Sequence, residues 1–390
     1  GYRALYCNSS GNNNHAFGYR GLYNNTTGCL NITMGLDAGC ANTTGNNNVF
    51  LGSYAGCANT TANLNTAFGS YSLTHNTTGG ANTAVGSCAL ACNTTASDNV
   101  AVGYVALKVN TTGTANTALG YASLMTATTA DSNTASGYGT LRNTTTGAAN
   151  TALGSKALCA NTEGCENVAV GERALCSNTT GTTNVSIGQQ SSAKNTTGDN
   201  NTVVGKSAFH ENTTGCLNTA IGRSALNSAT TANFNTAVGA CTLHANTTGA
   251  SNTAIGYRAL PVNTSGRCNV AVGREALKNN TTAYNNTAVG TFSMLYTQTG
   301  NHNTAIGRSS LQNNSTGSQN TASGYRALLT NTTASNNTGS GFYSLKSNTT
   351  GTKNTASGAY SLQSNTTGCN NVAVGACSLH ANISGAHGTA

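Results

Sequence analysis

The chain has 390 residues, of which only 7% are charged, with 47 Gly, one Pro and no Trp; its formal net charge of +8 is spread thinly along the length. Such a composition offers too few large apolar residues for a globular core of ordinary width, and too little charge and Pro for disorder. No Lys/Arg cluster provides the concentrated basic face that nucleic acid requires, and no apolar run reaches a membrane span, so neither nucleic-acid binding nor membrane insertion is expected.

Periodicity is what remains. Gly stands at position 1 and recurs every 17 residues, through Gly18, Gly35 and Gly52 to Gly375. This gives 22 complete copies and a last one of 16 residues, with no insertion or deletion. The consensus is Gly-Tyr-x-Ala-Leu-x-x-Asn-Thr-Thr-Gly-x-x-Asn-Thr-Ala-Val. Strict length means that each copy stacks in register on the next, and 17 residues are too few for a helix pair. The expected fold is all-β: a parallel β-solenoid (β-roll) of 23 rungs with two short strands per rung, in a single continuous domain over residues 1–390. At roughly 4.8 Å per rung the roll would be about 110 Å long. The pattern is already in register at Gly1 and still running at the other end, so the chain reads as a fragment of a longer one.

Within a copy, Gly at position 1 is expected at a tight corner where a Cβ would clash. Positions 3–6 read as a short strand, with Leu at position 5 in 18 of 23 copies. Asn-Thr-Thr-Gly at positions 8–11 is expected to make the other corner through side-chain-to-backbone bonds and left-handed residues. Positions 14–17 read as the other strand. Position 15 is Thr, Val or Ile in every copy after His15, and position 17 is apolar in 18 of 22, as a pleated strand favours. Alternation sends Leu at position 5 and the apolar residue at position 17 inward. Positions 4 and 16, the latter Ala in 18 of 23 copies, then face outward. Reversed parity would put Ala inside and Leu outside. Either way a copy carries two apolar stripes where a thin roll needs one. That points to self-association, as a homotrimer or filament. The alternative is that small residues line a very narrow monomeric roll.

Three columns of residues are candidates for special roles. Asn fills position 14 in 22 copies, beginning Asn14, Asn31, Asn48, Asn65, Asn82. Such a column suits stacked amides bonding along the axis, or simply a turn. Position 8 carries an Asn-x-Ser/Thr sequon in 18 of 23 copies: Asn8, Asn25, Asn42, Asn59, Asn76, Asn93, Asn110, Asn178, Asn195, Asn212, Asn246, Asn263, Asn280, Asn314, Asn331, Asn348, Asn365 and Asn382. These read as one exposed, N-glycosylated edge, or as turn chemistry alone; Ala127, Ala229 and Thr297 interrupt the column. The third set is drawn from the 14 cysteines. Cys29 with Cys40, and Cys165 with Cys176, share one relation between rungs, while Cys40 and Cys57 occupy position 6 on adjacent rungs. Gly39 and Gly56 replace Leu beside that last pair, so its thiols are expected to turn inward. A rung spacing near 5 Å suits disulfides, which belong to an oxidising setting; buried free thiols are the alternative. Cys241-x-x-His244 and Cys377-x-x-His380 recur, but on a strand an odd separation splits the two side chains between faces, so no zinc or other cofactor is expected. No carboxylate pair recurs, and no base stands beside the many Ser and Thr, so the chain is not expected to be an enzyme.

Asn-Thr-Ala-Ile-Gly-Arg-Ser-Ala-Leu at 218–226 and Asn-Val-Ala-Val-Gly-Glu-Arg-Ala-Leu at 167–175 resemble the Asn-Ser-Val-Ala-Ile-Gly rungs of trimeric autotransporter adhesin heads. That resemblance implies a left-handed parallel β-roll trimer. The full unit at 256–269 is similar to repeats of viral and phage tail-fibre-like proteins, which often end in an intramolecular chaperone domain. The resemblance covers the whole chain and bears on its architecture. The leading functional expectation is an extracellular fibre or filament shaft on a virion or cell surface, with a role in adhesion or spacing; Tyr at position 2, as in Tyr104, Tyr121, Tyr257 and Tyr325, is a candidate contact to surface glycans or to neighbouring chains. The other functional class considered is a carbohydrate- or ice-binding solenoid, suggested by Thr ladders at positions 9, 10 and 15.

Overall fold

The computed structural model describes all of residues 1–390. Its regular elements are strands alone. It divides into two compact units, Gly1–Thr197 and Gly198–Ala390, and each is a parallel β-solenoid with a 17-residue step. The first unit holds β1 (His15–Phe17) to β11 (Val185–Ile187), and the second β12 (Thr202–Val204) to β22 (Val372–Val374). Every strand has three residues and sits at positions 15–17 of its rung. Within a unit each strand pairs in parallel with the next at an offset of one copy. His15 lies opposite Ile32, Val168 opposite Val185, and Thr253 opposite Val270. The β-branched residue at position 15 suits this pleated segment, and the ladder extends one residue back, where the Val49 N–H donates to the Asn65 carbonyl at 2.8 Å.

Only one of the two expected strands forms. Positions 3–6 are a run of turns, because residues 3 and 5 adopt left-handed backbone: φ is +57° at Arg173, +49° at Leu175 and +48° at Leu107. A third left-handed residue recurs at position 13, as in Leu30 and Glu166. The second corner was expected to draw its left-handed residues from Asn8 and Gly11 of the motif. Position 11 instead accepts Ala, as at Ala62 and Ala130. The turns still bond rung to rung, with Leu158 N–H donating to the Ala174 carbonyl at 3.0 Å and Arg173 N–H to the Ser155 carbonyl at 3.0 Å. Left-handed L-residues cost roughly 1–2 kcal/mol each. Burying the Leu side chain, worth about 1.5–3 kcal/mol, offsets that at position 5.

This backbone also decides which side chains are inside. On a strand, positions 4 and 5 would point apart; in the left-handed turn both face inward, and Ala106 with Leu107 and Ala174 with Leu175 are buried. The strand turns position 16 inward, so Ala101, Ala169 and Ala254 are fully buried. It leaves position 17 outside, where Leu153 is 50% exposed and Ile255 41%. Leu at position 5 is therefore interior as expected, but the expected placement of positions 4, 16 and 17 is corrected. Two inward residues already crowd the turn side, and beside a Leu the space opposite them takes Ala; Val203, fully buried at position 16, stands on a rung whose position 5 is the smaller Ser192. Hydroxyls at position 4 are also accommodated: Ser72 and Ser310 each donate to the position 1 carbonyl of their own rung at 2.8 Å.

One exception shows how tightly the interior is filled. Phe50 replaces Ala at position 16 and is fully buried. Gly39 on the same rung and Gly56 on the next replace Leu at position 5. A Cβ on Gly56 would lie 2.5 Å from the Phe50 ring, and one on Gly39 2.9 Å from it. The ring occupies the room that two Leu side chains give up. Cys40 and Cys57, expected to turn into that gap, remain half-buried at the outer side.

Candidate functional site

The most developed chemistry in the chain is a set of side-chain ladders. At position 14, Asn31 Nδ2 donates to Asn14 Oδ1 at 3.1 Å and to the Gly45 carbonyl at 2.8 Å, and Asn14 Oδ1 also accepts the Asn31 N–H at 3.0 Å. Asn48 repeats all three bonds one rung on. Asn65 and Asn82 continue the column, their N–H groups donating to Asn48 Oδ1 and Asn65 Oδ1 at 3.0 Å. Thr at position 9 adds a hydroxyl bond to the next rung, as from Thr43 Oγ1 to the Thr60 carbonyl at 3.1 Å.

Position 8 forms a second amide ladder. Asn42 Nδ2 donates to Asn25 Oδ1 at 2.8 Å and to the Gly45 carbonyl at 3.1 Å; Asn263 and Asn365 make the same pair of bonds. Among the sequon asparagines, Asn25, Asn42, Asn59, Asn76, Asn93, Asn110, Asn178, Asn195, Asn212, Asn246, Asn263, Asn280, Asn314, Asn331, Asn348 and Asn365 are fully buried. Only Asn8, which is exposed, and Asn382, which is partly so, reach solvent. The expected glycosylated edge is thereby corrected. An N-linked sugar needs the same Nδ2 that each internal Asn spends inside the ladder. Where the column is interrupted the ladder leaves orphans: Asn110 Oδ1 before Ala127, Asn280 Oδ1 before Thr297, and the Thr144 and Thr297 hydroxyls are buried without a partner.

The cysteines sort differently from their spacing. All 14 are free thiols. Cys29 at position 12 accepts the Asn12 N–H at 3.3 Å and donates to the Thr27 carbonyl at 3.3 Å. Cys165 does the same with Ala148 N–H and the Glu163 carbonyl. Those bonds to local backbone hold both thiols at their own corner, and the expected pairings Cys29–Cys40 and Cys165–Cys176 do not form. Cys40 and Cys57 do meet, with sulfurs 3.3 Å apart. Cys159 is the electrostatic neighbour of Cys176; its place at position 6 of the preceding rung was readable from the sequence and was overlooked. Beside the first pair, Arg20 Nε donates to Asp37 Oδ1 at 2.7 Å, and that bond holds the guanidinium pKa above its usual value. Hydrogen bonding from Cys40 draws the Cys57 thiol down to about 7, against the opposing effect of burial. The same bond, burial and the neighbouring sulfur push Cys40 up. Burial, followed by Cys176, raises Cys159.

Outside, position 17 presents a file of apolar side chains, among them Ile221, Ile255 and Ile306 in the second unit; Ser136 interrupts it in the first unit, and Ser323, Ser340 and Ser357 in the second. Tyr at position 2 stacks between rungs, with Tyr104, Tyr121 and Tyr138 at centroid distances of 5.7 and 5.1 Å. A shallow cleft of about 320 Å³ is lined by Cys241, His244, Tyr257, Arg258, Pro261 and Val262. Cys241 and His244 thus share one side instead of being split by strand alternation, because their segment is a turn. No group of three or more His, Cys, Asp or Glu able to hold a metal ion stands together among the described residues. No protein-family model matches the chain, and no curated protein matches it.

Proposed function

We propose that the chain is a structural shaft: a stiff stretch of extracellular fibre or filament on a virion or cell surface, serving adhesion or spacing. The observation that carries this reading is the unbroken bonding between successive rungs within each unit. Strand, turn, Asn and Thr ladders all bond from rung to rung along the stack, so axial load is shared over many hydrogen bonds. In this role the chain works mechanically and carries out no reaction. Its resemblance to adhesin-head and tail-fibre repeats agrees with such a role. Self-association, as a homotrimer or filament, belongs to the same reading and would use the aliphatic file at position 17. Immuno-electron microscopy of the source particle or cell with antibody to this chain should decorate an external filament. Labelling confined to the interior would overturn the reading.

A second reading, binding of ice or a carbohydrate surface, is favoured by one observation. Thr at position 15 and Val or Ile at position 17 stand side by side on the uncharged outer face of strands such as Thr253–Ile255. A thermal-hysteresis assay showing no effect would dismiss the ice version, and a glycan array without hits the carbohydrate version.

A further inference from the structure

We infer that Cys40 and Cys57 are a redox-responsive thiol pair that hydrogen peroxide converts into a disulfide stapling two neighbouring rungs of the first unit. Position 6 is a column in which successive side chains touch. The rings of Tyr6 and Tyr23, on the two rungs before, stack at 5.3 Å and 3°, and His380 meets Gln363 in the same column at 2.7 Å. Cys40 and Cys57 continue it with sulfurs 3.3 Å apart. Reaching a bond of about 2.05 Å needs an approach of roughly 1.3 Å, and a rung spacing near 4.8 Å lies inside the Cα range that disulfides span. Each thiol is half-buried, so a small oxidant has access.

The pair also has the right asymmetry. Its two thiols share one hydrogen bond, and the Arg20 guanidinium beside them favours the thiolate while Asp37 opposes it. The thiolate so favoured, at Cys57, is drawn down to about 7 and is the nucleophile. It attacks one oxygen of hydrogen peroxide, forming a sulfenic acid and releasing hydroxide. The Cys40 sulfur then attacks the sulfenic sulfur: the S–S bond forms, the S–O bond breaks, and the hydroxyl leaves as water with the Cys40 proton, while the hydroxide released first takes back from solvent the proton that Cys57 had given up. Two thiols are oxidised and one peroxide is reduced to two waters. Cys29 and Cys165 have no such partner, since their thiols bond to backbone. Cys159 and Cys176 repeat the position without a sulfur–sulfur contact like the one that joins Cys40 to Cys57, so this second pair is expected to react more slowly.

The test uses the full reduced chain treated with one equivalent of hydrogen peroxide near pH 7, then alkylated. Chymotrypsin is the protease, because Phe50 and Tyr54 lie between the two cysteines whereas no Lys or Arg does. The expected result is a loss of two hydrogens per chain and a linked peptide joining Cys40 to Cys57 ahead of any other cross-link. The variant Cys40→Ser should form no bridge and should leave a sulfenic acid at Cys57 that dimedone traps; circular dichroism confirms that it folds. Cys57→Ser should leave Cys40 at least tenfold slower to oxidise than Cys57 in the parent chain. Earlier linkage through other cysteines, or alkylation of both Cys40 and Cys57 after other thiols have oxidised, would overturn the inference.

Discussion

At the scale of single residues, the buried amides make the sharpest expectations. Asn280 Oδ1 and the Thr297 hydroxyl are both orphaned inside the position 8 ladder. Thr297→Asn places an amide where neighbouring rungs already accept one, donating to Asn280 Oδ1 and closing the gap to Asn314. A satisfied buried bond contributes about 1 kcal/mol and an orphan costs about 1–3. Thr297→Asn should therefore raise stability by roughly 1 kcal/mol, with slower hydrogen exchange on the rungs around 280–314; unchanged exchange there would count against a continuous ladder. The same column shows why the sequence misled. Asn-x-Thr is at once a glycan acceptor, a turn former and a ladder rung, and nothing local distinguishes the three. Only burial does, and burial depends on the rungs above and below. Phe50 supplies a second expectation. Phe50→Ala leaves the space faced by Gly39 and Gly56 empty and should cost about 3–5 kcal/mol. Adding Gly39→Leu and Gly56→Leu restores the consensus interior and should recover most of that loss in chemical denaturation, since the three positions share one volume.

At the scale of the element, each rung is one strand and two corners, and the corners carry the unusual geometry. The period, the interior Leu at position 5 and the strand over positions 15–17 were legible, because apolar and β-branched residues recur at fixed places. The turn over positions 3–6 was not. Left-handed backbone is normally announced by Gly or Asn, yet here Leu107, Leu158 and Arg173 adopt it. They are held there by bonds to the neighbouring rungs, an influence no single copy displays. Position 1 is the corner where glycine is required outright. Gly171 has φ +130°, and a Cβ on it would lie 2.6 Å from the Gly188 carbonyl oxygen. Gly171→Ala should destabilise its rung by about 3 kcal/mol or more, adding a backbone clash to conformational strain. Gly139, at position 3 of its rung, also has a positive φ, +59°, but nothing within 4 Å of its would-be Cβ. Gly139→Ala should keep only the strain, about 1–2 kcal/mol. Limited proteolysis that cut both variants equally would show that the stacked backbone is not what excludes alanine.

At the scale of the whole molecule, two questions remain physical ones: what a rung is worth, and what covers the outer file. Contacts run only between neighbouring rungs within a unit, so removing Gly222 to Val238 as one 17-residue copy joins Ile221 to Gly239 in register. That deletion should leave the β-sheet circular dichroism per residue unchanged, whereas removing 16 residues shifts every later column by one and should abolish cooperative folding. The outer file bears on assembly. Eleven rungs at about 4.8 Å give each unit a face about 50 Å tall, and a width of roughly 10–15 Å makes it some 500–750 Å², close to the ~800 Å² per partner of a stable interface. The file carries mostly Val, Ile, Leu and Phe, with Ser on one rung of the first unit and three of the second, and no charge, and a second copy presents the same residues at the same spacing. Placing Lys at Val238, Ile255 and Val272 puts three charges on consecutive rungs of that face. These side chains point outward, so the variant should fold as the parent does. The self-association proposed for the parent should weaken at least tenfold in the variant by sedimentation equilibrium, because three unpaired ammonium groups would have to be desolvated in the interface. A parent chain that stays monomeric at every concentration in native mass spectrometry would remove position 17 as an assembly face and leave each unit a solenoid that tolerates its apolar stripe in water.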